Sequence, residues 1–221
     1  MVDPKANALR HGFETTGFLW LRGVLSGADL DLLNDVMCED ERPGGRITRA
    51  QTDLRAVLGP HGTLLSALAQ LFGPVEATRA VAFSKTPDAN WGVGWHRDQI
   101  IAVQDRADVP GFDNWSRKSG IWHCKPPAQI LSKVLFSRIF LSKATPASGG
   151  MEFCPGSHLT ESKQPTAHVE CEHAAPGDVL VLNINILHRS RPAKIPAPRR
   201  VLRVDFAMER LPPPLAWARV A

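Results

Sequence analysis

From residue 75 to about residue 207 the chain is cut into short β-favouring runs: "VEATRAVAFSK", "KVLFSRIFLSK", "GGMEFCPGS", "GDVLVLNINILH" and "RRVLRVDFA", each bounded by Gly, Pro, Asn or Ser. That punctuation constrains the fold more than any other feature. β-Branched and aromatic residues suit a pleated surface, and the breakers stop each run too early for a long helix. Helical spacing is confined to the first third. "GFLWLRGVL" (17–25) reads as a strand, after which Ser26 caps "GADLDLLNDVM", with Asp29 in the place of a capping-box Glu. "RPGGR" (42–46) reads as a loop, and "DLRAVLG" and "TLLSALAQLFG" as short helices stopped by Gly. Helices first and then regularly spaced strands predict a mainly β fold, a β-sandwich or closed β-barrel under an N-terminal helical cover.

The 221 residues fit one domain: a frayed terminus over 1–10, a strand and helical cover over 11–74, and a β core over 75–210. A polar stretch at 104–129, containing "VPGFDNWSRKSGIWHCKPP", reads as a long lid or binding loop. No apolar run approaches the roughly 18–20 residues of a membrane span. The scattered Cys38, Cys124, Cys154 and Cys171, without an export signal, predict a reduced, cytoplasmic protein. The net charge of +4 is mild, but Arg189, Arg191, Lys194, Arg199, Arg200, Arg203 and Arg210 crowd one segment. With no nucleic-acid motif or stacking platform beside it, that cluster favours a local field for a small anionic substrate, or a solvated surface, over nucleic acid.

Chemistry enters with "GWHRDQ" (94–99). On a strand, His96 and Asp98 share a face and can reach one metal ion. An isolated HxD also arises from composition alone, so a third ligand matters. His188, at the far end of "GDVLVLNINIL", would complete a two-His, one-carboxylate set that leaves adjacent coordination positions open. The alternative for His188 is a hydrogen-bonded core histidine. "HVECEH" (168–173) offers His168, Glu170, Cys171 and His173, but its polar, Pro-bounded flanks make it an exposed turn, a poor place for a catalytic metal.

Arg199, at the start of "RRVLRVDF", can aim a fixed guanidinium fork at a carboxylate, and Ser190 could donate to the same anion. Alternation leaves the choice between Arg199 and Arg200 open by one residue. The face holding Arg199, Arg203 and Asp205 is polar and suits a cavity, whereas Arg200 shares its face with Leu202, Val204 and Phe206. Arg138, in the apolar "KVLFSRIFLSK", needs a partner, either a carboxylate ligand or a structural Asp or Glu. Lys85 ends its run where it could reach the same cavity.

In this order, "FSK…NWGVGWHRD", "VPGFDNWSRKSG", "GGMEFCPGSH", "GDVLVLNINILHRS" and "RRVLRVDFA" resemble the phytanoyl-CoA dioxygenase family over residues 13 to about 217. The resemblance implies a double-stranded β-helix and an Fe(II)- and 2-oxoglutarate-dependent dioxygenase that consumes O2 and hydroxylates a small molecule. It implies iron ligation by His96, Asp98 and His188, and a salt bridge from Arg199 (or Arg200, one residue on) to 2-oxoglutarate, assisted by Ser190 and Lys85. It makes "PGSH" (155–158) a structural loop, with His158 no ligand. Arg138, Trp115, Lys118, Trp122 and His123 are the substrate-side and lid candidates. The competing readings are a non-catalytic barrel of the same fold that binds a metal or small ligand, and a nucleic-acid oxygenase.

Overall fold

Strict alternation in "RRVLRVDFA" sorts one strand's side chains onto two faces, and the molecule is built around both. The computed structural model describes residues 4–38, 44–47, 52–195 and 198–220. In chain order its elements are α1 (Pro4–Thr16), β1 (Phe18–Leu21), α2 (Gly27–Cys38), β2 (Gly44–Arg46), α3 (Thr52–Leu58), α4 (Thr63–Phe72), β3 (Glu76–Lys85), β4 (Val93–His96), β5 (Ile101–Val103), β6 (Asp113–Lys118) and β7 (Ile121–Lys125). They continue with α5 (Ala128–Leu131), β8 (Val134–Phe140), β9 (Met151–Phe153), β10 (Glu170–Cys171), β11 (Val179–Asn183), β12 (His188–Ser190) and β13 (Arg199–Ala207).

A six-stranded sheet runs β1-β11-β8-β13-β3-β2, and a four-stranded sheet β10-β9-β12-β4 lies against it. On one face of the large sheet Leu202, Val204 and Phe206 pack with Leu33, Leu54, Leu64 and Leu68 of the helices. On the other, Val201, Phe136, Phe140 and Leu182 meet Met151, Phe153 and Ile186 from the smaller sheet's side. Two antiparallel sheets face to face, one backed by helices, make the expected jelly-roll with its N-terminal cover. The capping box forms as read, with Asp29 N to Ser26 Oγ at 3.2 Å and Ser26 N to Asp29 Oδ2 at 2.9 Å.

Four expectations need correction. Of the first ten residues, read as a frayed terminus, the described ones are helical: Pro4 opens α1, and Phe13 anchors it edge-on to Phe72 with ring centroids 4.9 Å apart. Pro suits that first helical position because the N–H it lacks has no helical partner there. Part of "RPGGR" is a strand, since Gly44–Arg46 pairs with Phe83–Val81, while residues 42–43 lie outside the described residues. The 104–129 stretch is not a structureless loop. Its strands β6 and β7 form a hairpin turned at Ser119 (φ 50°) and Gly120 (φ 80°), and β5 pairs with β7 to complete a three-stranded sheet in the order β5-β7-β6. Two positive-φ residues form the turn whose twist matches a hairpin. Finally, His188 does not end the strand that begins at Val179. That strand stops at Asn183, whose Oδ1 accepts from Asn185 N at 2.9 Å, and the chain crosses to the other sheet before His188 opens β12.

Candidate active site

β4 and β12 are antiparallel neighbours, and their register sets His96 directly opposite His188, with ring centroids 4.3 Å apart. Asp98 lies two residues beyond β4, outside the strand that was expected to carry it. One donor atom from each of His96, Asp98 and His188 lies within 4.8 Å of the others, a set that could hold a metal ion. The backbone orients both rings. His96 Nδ1 is 2.8 Å from Gly94 O and His188 Nδ1 is 3.0 Å from Ile186 O. A carbonyl only accepts, so the protons sit on Nδ1 and each Nε2 keeps its lone pair. Burial, reinforced by His188, lowers the His96 pKa and favours the neutral imidazole a metal requires.

Burial alone would raise the Asp98 carboxyl, but Arg203 and His188 overcome it and hold it well below the usual carboxylate range. Arg203 Nη1 donates to Asp98 Oδ2 at 2.5 Å, and His188 Nε2 stands 3.4 Å from the same oxygen. With the histidine proton engaged on Nδ1, two lone pairs face each other there. Such an arrangement calls for a proton or a metal ion between them, and the neutral-imidazole and carboxylate donor set suits a divalent iron.

Behind this cluster is a cavity of about 170 Å³, lined by the three residues at one end and by Lys85, Arg138 and Arg199 at the other. Arg199 starts β13 directly opposite Lys85, the last residue of β3. Glu172, fully buried, takes Arg199 Nη1 at 3.1 Å and Arg138 Nη2 at 3.3 Å, and pairs closely with Arg138 Nε. Arg138's partner is thus a structural glutamate. Three buried cations share one carboxylate, and Arg199 Nε is buried without a partner. Burial, then Arg199 and Arg138, push the Lys85 amine down to about 8, and its Nζ donates to Arg191 O at 2.5 Å. An excess of buried positive charge with an orphaned guanidinium N–H fits a carboxylate ligand.

The register ambiguity resolves geometrically. Arg200 faces the helices and donates to Asn34 Oδ1 at 2.7 Å and Asn34 O at 3.1 Å, while Arg199 faces the cavity. Ser190 lines the same cavity. Trp115, Lys118, Trp122 and His123 do not. Trp115 and Trp122 pack edge to face in the three-stranded sheet, Lys118 ends β6 exposed, and His123 is fully buried.

Three residues escaped the sequence reading. Arg203, which holds Asp98, sits on the polar face of β13, so alternation carried its signal. Glu172 lies inside "HVECEH", whose His168 and His173 are exposed as expected, and nothing local marks it as buried. Arg97, between the two candidate ligands, points the other way and donates to Asn185 O (2.8 Å), Ser157 O (2.8 Å), Thr160 O (3.1 Å) and Ser162 O (2.5 Å). It ties "PGSH" to the metal strand. His158 stays outside the cluster, with Nε2 3.1 Å from Glu14 O. The basic segment divides: Arg199 and Arg203 are interior, Arg189 and the exposed Arg191 pair with Glu152 at 2.6 and 2.7 Å, and Lys194 and Arg210 are exposed. Among the described residues no helix is long and apolar enough to cross a membrane.

The double-sheet barrel with a His-Asp-His cluster between its sheets defines a cupin-fold protein able to seat one metal ion. The model of the phytanoyl-CoA dioxygenase family matches residues 13–201, and the chain belongs to that family. No curated protein matches it in sequence. Similar solved structures include AviO1 from Streptomyces viridochromogenes Tue57 (TM-score 0.67, 23% identity, covering 96% of this chain and 98% of that one). Another is SnoN, a non-heme α-ketoglutarate-dependent epimerase from nogalamycin biosynthesis (TM-score 0.69, 14% identity, covering 99% and 86%). A third is HygX from Streptomyces hygroscopicus, solved with nickel and 2-oxoglutarate bound (TM-score 0.63, 17% identity, covering 94% and 87%).

Proposed function

We propose that this protein is an Fe(II)- and 2-oxoglutarate-dependent oxygenase that hydroxylates a small molecule. One observation carries the reading: His96, Asp98 and His188 line a cavity that is also lined by Arg199, whose Nη1 is held by Glu172 while its buried Nε has no partner. Bound together, the ferrous ion and 2-oxoglutarate supply O2 activation coupled to decarboxylation of the co-substrate to succinate and CO2.

The chain's own part is orientation and electrostatics. His96 and His188 offer Nε2, fixed by the carbonyls of Gly94 and Ile186. Asp98 offers its carboxylate, held by Arg203. Arg199 and Lys85 take the distal carboxylate of the co-substrate, with Ser190 on the same wall. Glu172 holds Arg199 and Arg138 in place and offsets part of their charge. Phe136, fully buried, lies beneath His188 with ring centroids 5.5 Å apart and keeps that side dry.

Family membership supports the oxygenase class, and the HygX complex supports the co-substrate by likeness. The related folds include an epimerase and a carbocyclase, so product analysis has to separate hydroxylation from those outcomes. The test is succinate release by the Fe(II)-loaded protein with 2-oxoglutarate, O2 and a panel of small molecules. A panel member should raise succinate release in wild type and not in His188→Ala. Succinate release by His188→Ala equal to wild type would overturn the assignment.

A further inference from the structure

The cavity at Arg199 leaves part of the buried charge around Asp98 unexplained. Beyond Arg203, the same face of β13 and β3 carries Asp205 and Arg79, opposite each other in register. Arg46 of β2 stands opposite Val81, which places it on that face too. Arg203 donates Nη1 to Asp98 and, at 2.8 Å, Nε to Asp205, while Arg79 Nη2 pairs with the other Asp205 oxygen. After these pairings three polar atoms on side chains at least nine-tenths buried have no partner: Arg79 Nε, Arg203 Nη2 and His123 Nε2. Native interiors rarely leave buried polar atoms unmatched, and three in one neighbourhood point to something that binds there.

The three atoms differ in kind. The two guanidinium N–H groups are donors with fixed positive charge. His123 Nδ1 lies 2.9 Å from Ile121 O, so its proton is committed there and Nε2 is a bare acceptor. Burial, then Arg46, with Arg79 and Lys118 also acting on the ring, push the His123 pKa down to about 4 and keep it neutral. A bare imidazole nitrogen could also take a metal ion, but Arg46, Arg79 and Lys118 oppose a cation at that position. Two cationic donors and one neutral acceptor match a ligand that carries anionic oxygens beside an O–H or N–H.

We propose that this charged cluster, whose Arg203 also lines the cavity at His96, Asp98 and His188, is the substrate subsite, and that the substrate is a small anion, a carboxylate or a phosphate, bearing a hydroxyl or amine donor next to the anionic group. Arg79 and Arg203 take the anionic oxygens and His123 accepts from the donor. Because Arg203 also holds Asp98, a substrate bound there is placed beside the candidate metal cluster. The inference rests on the oxygenase reading of that cluster and names its substrate class.

The test uses the full chain without metal or 2-oxoglutarate, labelled with 15N at histidine rings and arginine guanidinium groups. Three probes are titrated by NMR: monohydrogen phosphate, sulfate and glycolate. Monohydrogen phosphate has both anionic oxygens and an O–H, whereas sulfate has oxygens alone. Phosphate should shift the His123 Nε2 and Arg79 Nε resonances saturably, at about tenfold lower concentration than sulfate, the worth of one hydrogen bond. His123→Phe should bring phosphate to the level of sulfate, and Arg79→Gln should weaken both. Glycolate matching phosphate assigns the carboxylate form of the substrate, and phosphate acting alone assigns the phosphate form. Unmoved His123 and Arg79 resonances, or wild-type protein binding sulfate as well as phosphate, would overturn the proposal. The wild-type titration decides even where a variant fails to fold. Anions entering the Arg199 cavity are read separately on the Arg199 resonances. Failure of the oxygenase reading would instead appear as absent succinate release with anion binding intact.

Discussion

At the scale of single residues, Arg199 and Arg200 show how one position separates two purposes. Arg199 lies in the cavity with an unpartnered Nε, and Arg200 grips Asn34 of α2. Arg199→Ala should weaken 2-oxoglutarate binding by roughly 1.5–3 kcal/mol, the value of a hydrogen bond to a charged group, and leave iron affinity in place. Arg200→Ala should leave 2-oxoglutarate affinity unchanged and lower stability by about 1 kcal/mol; titration calorimetry and denaturant unfolding separate the two. His123 adds a pH dependence. Its folded pKa, pushed down to about 4, lies below its ordinary value near 6.5, so the unfolded chain binds the proton first as pH falls. Stability should therefore be full above about pH 6.5 and decline toward pH 4, by roughly 3 kcal/mol at most. His123→Phe should flatten that limb in urea melts across the range. The Arg199 face was legible because it depends on strand period alone, whereas Asp98 lies beyond β4 and His188 opens a strand of its own, so their convergence with His96 was not set by strand period. Glu172 was not, because its burial is decided by Arg138 and Arg199, which arrive from other strands.

At the scale of elements, the crossing between β11 and β12 sets the cluster. Asn183 ends one strand in the large sheet, and His188 opens the next in the small one, opposite His96. Arg97 clamps this arrangement by bonding Asn185 O and the carbonyls around Ser157. Arg97→Ala should destabilise the protein by about 1–3 kcal/mol, since four part-buried or exposed carbonyls lose a charged donor. Amide exchange should quicken in residues 157–163 while the β13 core stays protected; an equal rise everywhere would argue against a local clamp. The helices, their caps and the long strands were readable from periodicity and breakers. The three-stranded sheet at residues 101–125 was not, because its strands are short, its β6–β7 hairpin is largely polar, and its Ser-Gly turn is a weak signal beside the loop-like composition. α1 was also missed: its anchor, Phe13 against Phe72, is a contact between segments far apart in sequence.

At the scale of the whole molecule, two sheets close around a row of buried charge running from Lys85 and Arg199 through Asp98 and Arg203 to Asp205 and Arg79. A metal ion that binds only the folded cluster should raise thermal stability by linkage, by about 2.7 kcal/mol at a hundredfold excess over Kd. Chelation should reverse the gain, and Asp98→Ala should show none of it. Fold class and family could be read from the order of motifs along the chain. The charged row could not, because its members come from β3, β13 and the segment after β4, and meet only when the strands assemble. His96, Asp98 and His188 are proposed to hold ferrous iron in a cavity that also takes 2-oxoglutarate. The most direct measurement is the visible absorption of the protein with Fe(II) and 2-oxoglutarate under strict exclusion of oxygen. A weak charge-transfer band in wild type that is lost in His96→Ala is the expected result; no band in wild type, or one undiminished in His96→Ala, would contradict the claim.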